Sequence, residues 1–265
     1  MNSTYEYEYK KLLQKILIDG TKSEARDGNT RIVLFGKSLK HDNKSELFPM
    51  LTSKKMFFKN IKHELSWILR GYTNTEYLKK HNVNIWDLWA DEEGNIGDTY
   101  GKQLRNFNGT DQLIQRLKEL ETNTNSSQLV ISLWNPNDIE KGNLRPCYHA
   151  FQFVPINNIL HIQVSQRSAD AFIGLPYDIA VFSLLLRIVA NVYGFTPGVV
   201  NINIGNLHIY EEHIEPVTDY LRRSTFDLPR LTFRKKLTSV VDFENPNVDL
   251  NRYECHDFIK AKIIK

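Results

Sequence analysis

Apolar side chains recur at helical spacing along much of this sequence. Leu12, Leu13, Ile16 and Leu17 share one face of a first helix, with Ser3 or Thr4 placed to cap it. Phe58, Ile61, Leu65 and Leu69 predict a strong helix over residues 57–70, and shorter helices are expected at 75–80 and 112–121. The long apolar run 177–193 predicts a buried helix. Elsewhere, alternation takes over. Strands are expected at 31–35, 128–134, 149–154, 159–165 and 199–204, the third and fourth joined by the Asn157-Asn158 turn. Residues 24–30, 87–97 and 121–127 are polar and read as loops or surface excursions. No repeat, low-complexity tract or linker divides the chain, so residues 1–265 read as one α+β domain.

Composition agrees with a globular domain. The 265 residues are 41% hydrophobic and 25% charged, too apolar a mixture for a disordered chain. A formal charge of +3, without a Lys/Arg block, does not point to a nucleic-acid partner. The two cysteines, Cys147 and Cys255, form neither a disulfide framework nor a metal knuckle, and are expected to be reduced in the cytoplasm. The first residues carry acids and no apolar core, unlike a signal peptide. The stretch 181–193 is broken by Arg187 and is too short to cross a bilayer, so no membrane association is expected.

Several side chains could carry chemistry. Cys147 lies in LRPCYHAFQF, between a loop and a strand. A lone cysteine is usually a small buried hydrophobe. As a nucleophile it needs positive charge nearby to favour the thiolate, and Arg145 and Arg167 are the candidates. Arg167 and Ser168, in SQRSADAFIGLPYDIA, pair a forked guanidinium with a hydroxyl, which suits an anion. Asp178 falls at the start of the apolar helix, where it either opposes the helix dipole or faces a ligand as a buried carboxylate. His208 and Tyr210, in GNLHIYEEHIEP, alternate on a strand and can hydrogen-bond one ligand. Glu64 interrupts the apolar helix as HELSWIL, facing solvent or serving as a buried acid. Trp86 and Trp89 either fill the core or stack on a flat ring.

Taken in order, RDGNTRIVLFG, HELSWILRG, NIWDLWADEEGNIGDTYGKQ, RPCYHAFQF, QRSADAFIGLPYDIA and GNLHIYEEHIEP resemble the motifs of thymidylate synthases and pyrimidine-nucleotide hydroxymethylases, over nearly the whole chain. The resemblance implies a mixed β-sheet with surrounding helices, and two copies packed sheet to sheet as a homodimer. It implies a reaction between a pyrimidine nucleoside monophosphate and 5,10-methylenetetrahydrofolate, with no metal. Cys147 becomes the nucleophile that adds to C6 of the pyrimidine. C5 then turns enolate-like or enamine-like and attacks the folate's one-carbon unit. By motif position, Glu64 would organise water and proton transfer, and Tyr100 would assist loss of the C5 proton. Arg26, Arg167 and Ser168 would hold the phosphate. Gln166 would lie beside the nucleotide and Asp170 beside the folate. His208 and Tyr210 would bind the sugar hydroxyl. Ile85, Trp86 and Trp89 would line the folate site, and the tail IKAKIIK, with Ile264, would close over it.

The sequence departs from the synthases in four places. They carry Asn in GLPFNIA where this chain has Asp178. An Asn amide complements the N3–H donor and O4 acceptor of uracil, whereas a carboxylate suits the amino group of cytosine, and a shared proton would let it pair with N3 as well. Asp at this position resembles the cytidylate hydroxymethylases. Tyr148 follows the cysteine where the synthases usually have His. Ser127 and Gln128 stand where the synthases carry an Arg pair with which the partner subunit grips the phosphate; Arg145 and Arg31 are the candidate replacements. Lys265 replaces an apolar last residue, and a charged end would seal the site less tightly against water. The resulting expectation is C5-hydroxymethylation of CMP or dCMP. The alternative is C5-methylation, of dCMP or, in a divergent thymidylate synthase, of dUMP.

Overall fold

The structure is a computed structural model that describes residues 4–26, 28–243 and 247–264, so Ser3 and Lys265 lie outside the described residues. The periodic segments fold as their spacing predicts. Helix α1 (Thr4–Asp19) buries Tyr5, Tyr9, Leu13 and Ile16, and α2 (Phe58–Leu69) buries Ile61, Leu65 and Leu69. Helices α3 (Glu76–Lys80) and α5 (Gln112–Thr122) match the shorter patterns. The Asp111 carboxylate caps α5 by accepting from the Ile114 N–H at 3.0 Å. Helix α6 (Gly174–Tyr193) begins before the expected residue 177, because Pro176 sits in its first turn, where a missing N–H costs nothing. It ends at Gly194, whose φ of +80° needs a residue without Cβ. This helix is long and apolar enough to cross a membrane, but 78% of its most apolar window is buried inside the fold. Its Arg187 is satisfied internally by the Asn43 side chain and the carbonyls of Ser45 and Leu47.

Six strands form one mixed sheet: β1 (Thr21–Glu24), β2 (Thr30–Asp42), β3 (Val130–Ser132), β4 (Tyr148–Ile156), β5 (Ile159–Asp170) and β6 (Thr196–Tyr210). Their order is β1-β2-β6-β5-β4-β3, with β5 and β6 parallel and the other neighbours antiparallel. Helix α6 packs across β2, β5 and β6, and α1 across β2 and β6. Along the sheet Phe35, Val130 and Ile156 stand exposed. Strand β1 escapes sequence reading because all four of its residues face solvent and leave no period. The short α4 (Tyr100–Arg105), α7 (Ile214–Arg222) and the separate pair β7 (Arg230–Phe233) and β8 (Val248–Asn251) were likewise not expected.

Strands β2 and β6 run far beyond the expected 31–35 and 199–204, and a shared break in period explains both. In β6 the buried apolar side chains are Val200, Ile202 and Ile204, then Leu207 and Ile209. In β2, Ile32 and Leu34 pack on the core, and then Leu39 and His41 are buried. The phase changes at Gly205 and Gly36, which face each other between the pairs Lys37–Ile204 and Phe35–Asn206. Gly36 takes φ +63°, and a Cβ on Gly205 would come within 3.2 Å of the Arg167 carbonyl. A one-residue change of phase exchanges the two faces of a strand. Beyond the break, Asn206, His208 and Tyr210 therefore turn away from the core. Arg31 lies opposite Tyr210, and Asp170 opposite His208, on the same surface.

Candidate active site

That surface forms one wall of a cleft of about 520 Å³. The cysteine loop before β4 supplies Cys147, and each side of it is tied down. The Cys147 N–H donates to the Tyr100 hydroxyl at 2.8 Å, and the Cys147 carbonyl accepts from the Arg167 N–H at 2.8 Å. The Arg167 side chain donates through Nε to the Pro146 carbonyl and through Nη2 to the Arg145 carbonyl. Its guanidinium also lies 5.9 Å from the Trp134 ring. Burial pushes the Cys147 thiol up, and the positive charge of Arg167 pulls against that shift. The same group thus fixes the loop and favours the thiolate.

Two carboxyls face this sulfur's surroundings from different helices. Glu64 on α2 accepts from the Trp86 indole N–H at 2.9 Å, and Asp178 on α6 accepts from Gln166 Nε2 at 2.7 Å. Burial raises Glu64 to about 7, with a further push from Asp178. Burial raises Asp178 to about 7 as well, against the Gln166 hydrogen bond. The Gln166 Oε1 is buried with no hydrogen-bond partner, an acceptor open to a donor in the cleft. Glu64 therefore belongs to the minority of helix acids that face a site rather than solvent.

The strand ends complete the wall. Burial alone would raise Asp170, but the adjacent His213, 3.6 Å away, and His208 hold it below its ordinary value. Its Oδ1 accepts from the N–H groups of Phe172 and Ile173. Burial lowers His208 to about 4, so its imidazole is neutral at pH 7, and its Nδ1 meets Asn206 Oδ1 at 2.9 Å. Tyr210 stacks edge-on to His208. Ser168 and the exposed Arg26 line the same cleft, as do Trp86, Trp89 and, from the C-terminal segment, Ile264. Of the site residues that the resemblance implies, Ile85 stays out of this wall and packs half-buried on the core instead. Trp134, Leu144, Ile173, Asn206 and Ile263 line the cleft without having been expected there. Asn206 had a signal, since it alternates with His208 and Tyr210. The apolar four look like any core residue. Among the described residues no cluster of three metal-ligating side chains occurs.

The family profile described as thymidylate synthase matches residues 7–265. The chain belongs to the thymidylate synthase family. The thymidylate synthase of Francisella philomiragia is 39% identical, over 97% of this chain and 98% of that protein. That of Mycoplasma mobile is 37% identical, over 97% of this chain and 99% of that protein. Members of the thymidylate synthase family are enzymes of folate-dependent one-carbon transfer to C5 of a pyrimidine nucleotide, with methylenetetrahydrofolate as co-substrate.

Against that family, the departures take definite places. Tyr148 is buried between the rings of Tyr100 and Phe182, at 4.8 and 5.0 Å, and shows one edge to the cleft. Ser127 and Gln128 are exposed at the start of β3, where the Gln128 carbonyl accepts from Arg116 Nη1 at 3.1 Å. Arg145, a candidate to replace the synthases' Arg pair, has its Nη2 held by both oxygens of Glu140, at 2.6 and 2.7 Å.

Proposed function

We propose that the protein transfers a one-carbon unit from 5,10-methylenetetrahydrofolate to C5 of a pyrimidine nucleoside monophosphate whose base is cytosine. The observation that carries the base is Asp178, a buried carboxyl in the cleft, raised to about 7 and fixed by Gln166. Carrying its proton, Asp178 donates to cytosine N3 and accepts from the N4 amino group, so both edges of the base are paired. Cys147 adds to C6 as the thiolate, favoured by Arg167. Glu64, with a pKa near neutral, is suited to hold or release a proton through water at the base edge. The Tyr100 hydroxyl, which accepts from the Cys147 N–H, stands ready to assist removal of the C5 proton. Arg26, Arg167 and Ser168 hold the phosphate, while His208, neutral, and Tyr210 bind the sugar hydroxyl.

The folate fits the same cleft, beside the nucleotide. Trp86 and Trp89 offer flat apolar faces, Asp170 is a negative acceptor, and Ile264 covers the opening. The folate supplies the one-carbon unit and, for a methyl product, the hydride that reduces it. Two copies pair through the exposed sheet face as a homodimer.

The similar proteins that are thymidylate synthases favour the methyl level of transfer. A second reading, hydroxymethylation, is favoured by Asp178 itself, the residue by which this chain resembles the cytidylate hydroxymethylases. One competition assay separates them. The enzyme is mixed with methylenetetrahydrofolate and equal dUMP, UMP, dCMP and CMP, and products are read by mass spectrometry. A methylated cytosine nucleotide supports the first reading and a hydroxymethylated one the second. Thymidylate as the main product would overturn the cytosine assignment. A covalent complex with 5-fluoro-dCMP and the folate, lost in Cys147→Ala, is expected in either case.

A further inference from the structure

The cleft holds four arginines, and they differ in how far they are already committed. Arg145 is taken by Glu140, and Arg167 spends Nε and Nη2 on the carbonyls that shape the cysteine loop. Arg26 is exposed at the cleft edge. Arg31 is different. It is anchored in β2 opposite Tyr210, it lines the cleft, and its Nε is buried with no hydrogen-bond partner. A buried guanidinium N–H left unpaired is costly, and such groups in folded proteins usually meet a ligand or water. The break in strand phase at Gly36 and Gly205 is what aims this position away from the core, beside His208 and Tyr210. The charge of Arg31 acts on His208, so the side chain lies within electrostatic reach of the sugar-binding pair.

We propose that Arg31 grips the substrate's 5′-phosphate from within the same subunit, taking over a contact for which this chain has Ser127 and Gln128 in place of the synthases' Arg pair. Arg31, an uncommitted forked cation, lines one cleft with Arg26, Arg167 and Ser168, and a phosphate dianion has enough acceptor oxygens for all of them. This inference rests on the reading of the cleft as a nucleotide site.

The test is isothermal titration of the full-length wild type, Arg31→Gln and Arg31→Lys. The ligands are dCMP and dUMP, with deoxycytidine and deoxyuridine at millimolar concentration as their phosphate-free counterparts. Wild type is expected to bind a monophosphate at least tenfold more tightly than its nucleoside. Arg31→Gln should weaken monophosphate binding about 10- to 100-fold, the range for losing a charge-assisted contact, and leave the nucleoside unchanged. Arg31→Lys, which keeps the charge and strains the fold least, should lose less. An equal loss for nucleotide and nucleoside in both variants would overturn the proposal and make Arg31 a support for His208 and Tyr210. Unchanged monophosphate binding would overturn it outright. If wild type itself shows no preference for the phosphate, the nucleotide reading falls, and the inference with it.

Discussion

At the scale of single residues, the proposed cytosine reading rests on one carboxyl. Asp178 is neutral or charged depending on a proton that burial holds to about pH 7. Replacing it with Asn keeps the shape but fixes one donor and one acceptor in the arrangement that complements uracil. Asp178→Asn should therefore move preference from dCMP toward dUMP. One mispaired buried group is worth about 1–3 kcal/mol, a change of roughly 5- to 150-fold in relative kcat/KM, measured by direct competition. The same proton sets a pH dependence. Double pairing to cytosine needs the proton between Asp178 and N3. As pH rises through about 7 the carboxyl loses it, so dCMP affinity should fall, by up to tenfold per pH unit above that point. Binding of dUMP to Asp178→Asn, which keeps Glu64 but has lost the Asp178 proton, should depend on pH less steeply across the same range. Titration calorimetry between pH 6 and 8.5 checks both, and a flat wild-type profile would count against the shared proton. Most of this site was legible in the sequence because its polar residues sit in long ordered motifs. What a sequence does not carry is commitment. Arg145 and Arg31 looked equivalent as replacements for the missing pair, and only the Glu140 contact and the unpaired Nε of Arg31 separate them.

At the scale of elements, the site depends on two strands that change phase together. Alternation was a sound guide up to Ile204 and Phe35, and it failed beyond them for a physical reason. Period-two reading assumes that one face stays buried, and the facing glycines at 36 and 205 exchange the faces. The half of β6 that carries His208 and Tyr210 thus has the inverse pattern of the half that was recognised. Gly36 holds φ +63° with no atom near its missing Cβ, so conformation alone is at stake there. Gly36→Ala should cost about 1–2 kcal/mol, the usual cost of an L-residue in the left-handed region, and Gly36→Asn distinctly less. Urea unfolding would measure both. Equal effects for Ala and Asn would mean that the strand relaxes out of the left-handed conformation, and that the phase break does not depend on it.

At the scale of the whole molecule, one sheet serves two faces. Arg167 lines the cleft and also a shallow groove on the exposed side, together with Phe35, Lys37, His149 and Asn203. Phe35 is 85% exposed, an expensive place for a phenyl ring unless something covers it. Val130 and Ile156 add further apolar surface along the sheet. A second copy placed on this face would bury Phe35 and press on the strand that carries Arg167, Ser168 and Asp170. Assembly and catalysis should then be lost together. Sedimentation equilibrium of the wild type should give twice the 30.9 kDa chain mass. Phe35→Glu should shift it toward the monomer, because two like charges would be brought into one desolvated, self-complementary interface. Activity should fall in parallel with the dimer fraction, and raising protein concentration should recover both. A monomeric Phe35→Glu protein with full activity would show that the cleft is complete within one chain. That outcome would remove the dimer from the mechanism and leave the cleft's own arginines, Arg26, Arg31 and Arg167, as the whole of its phosphate grip.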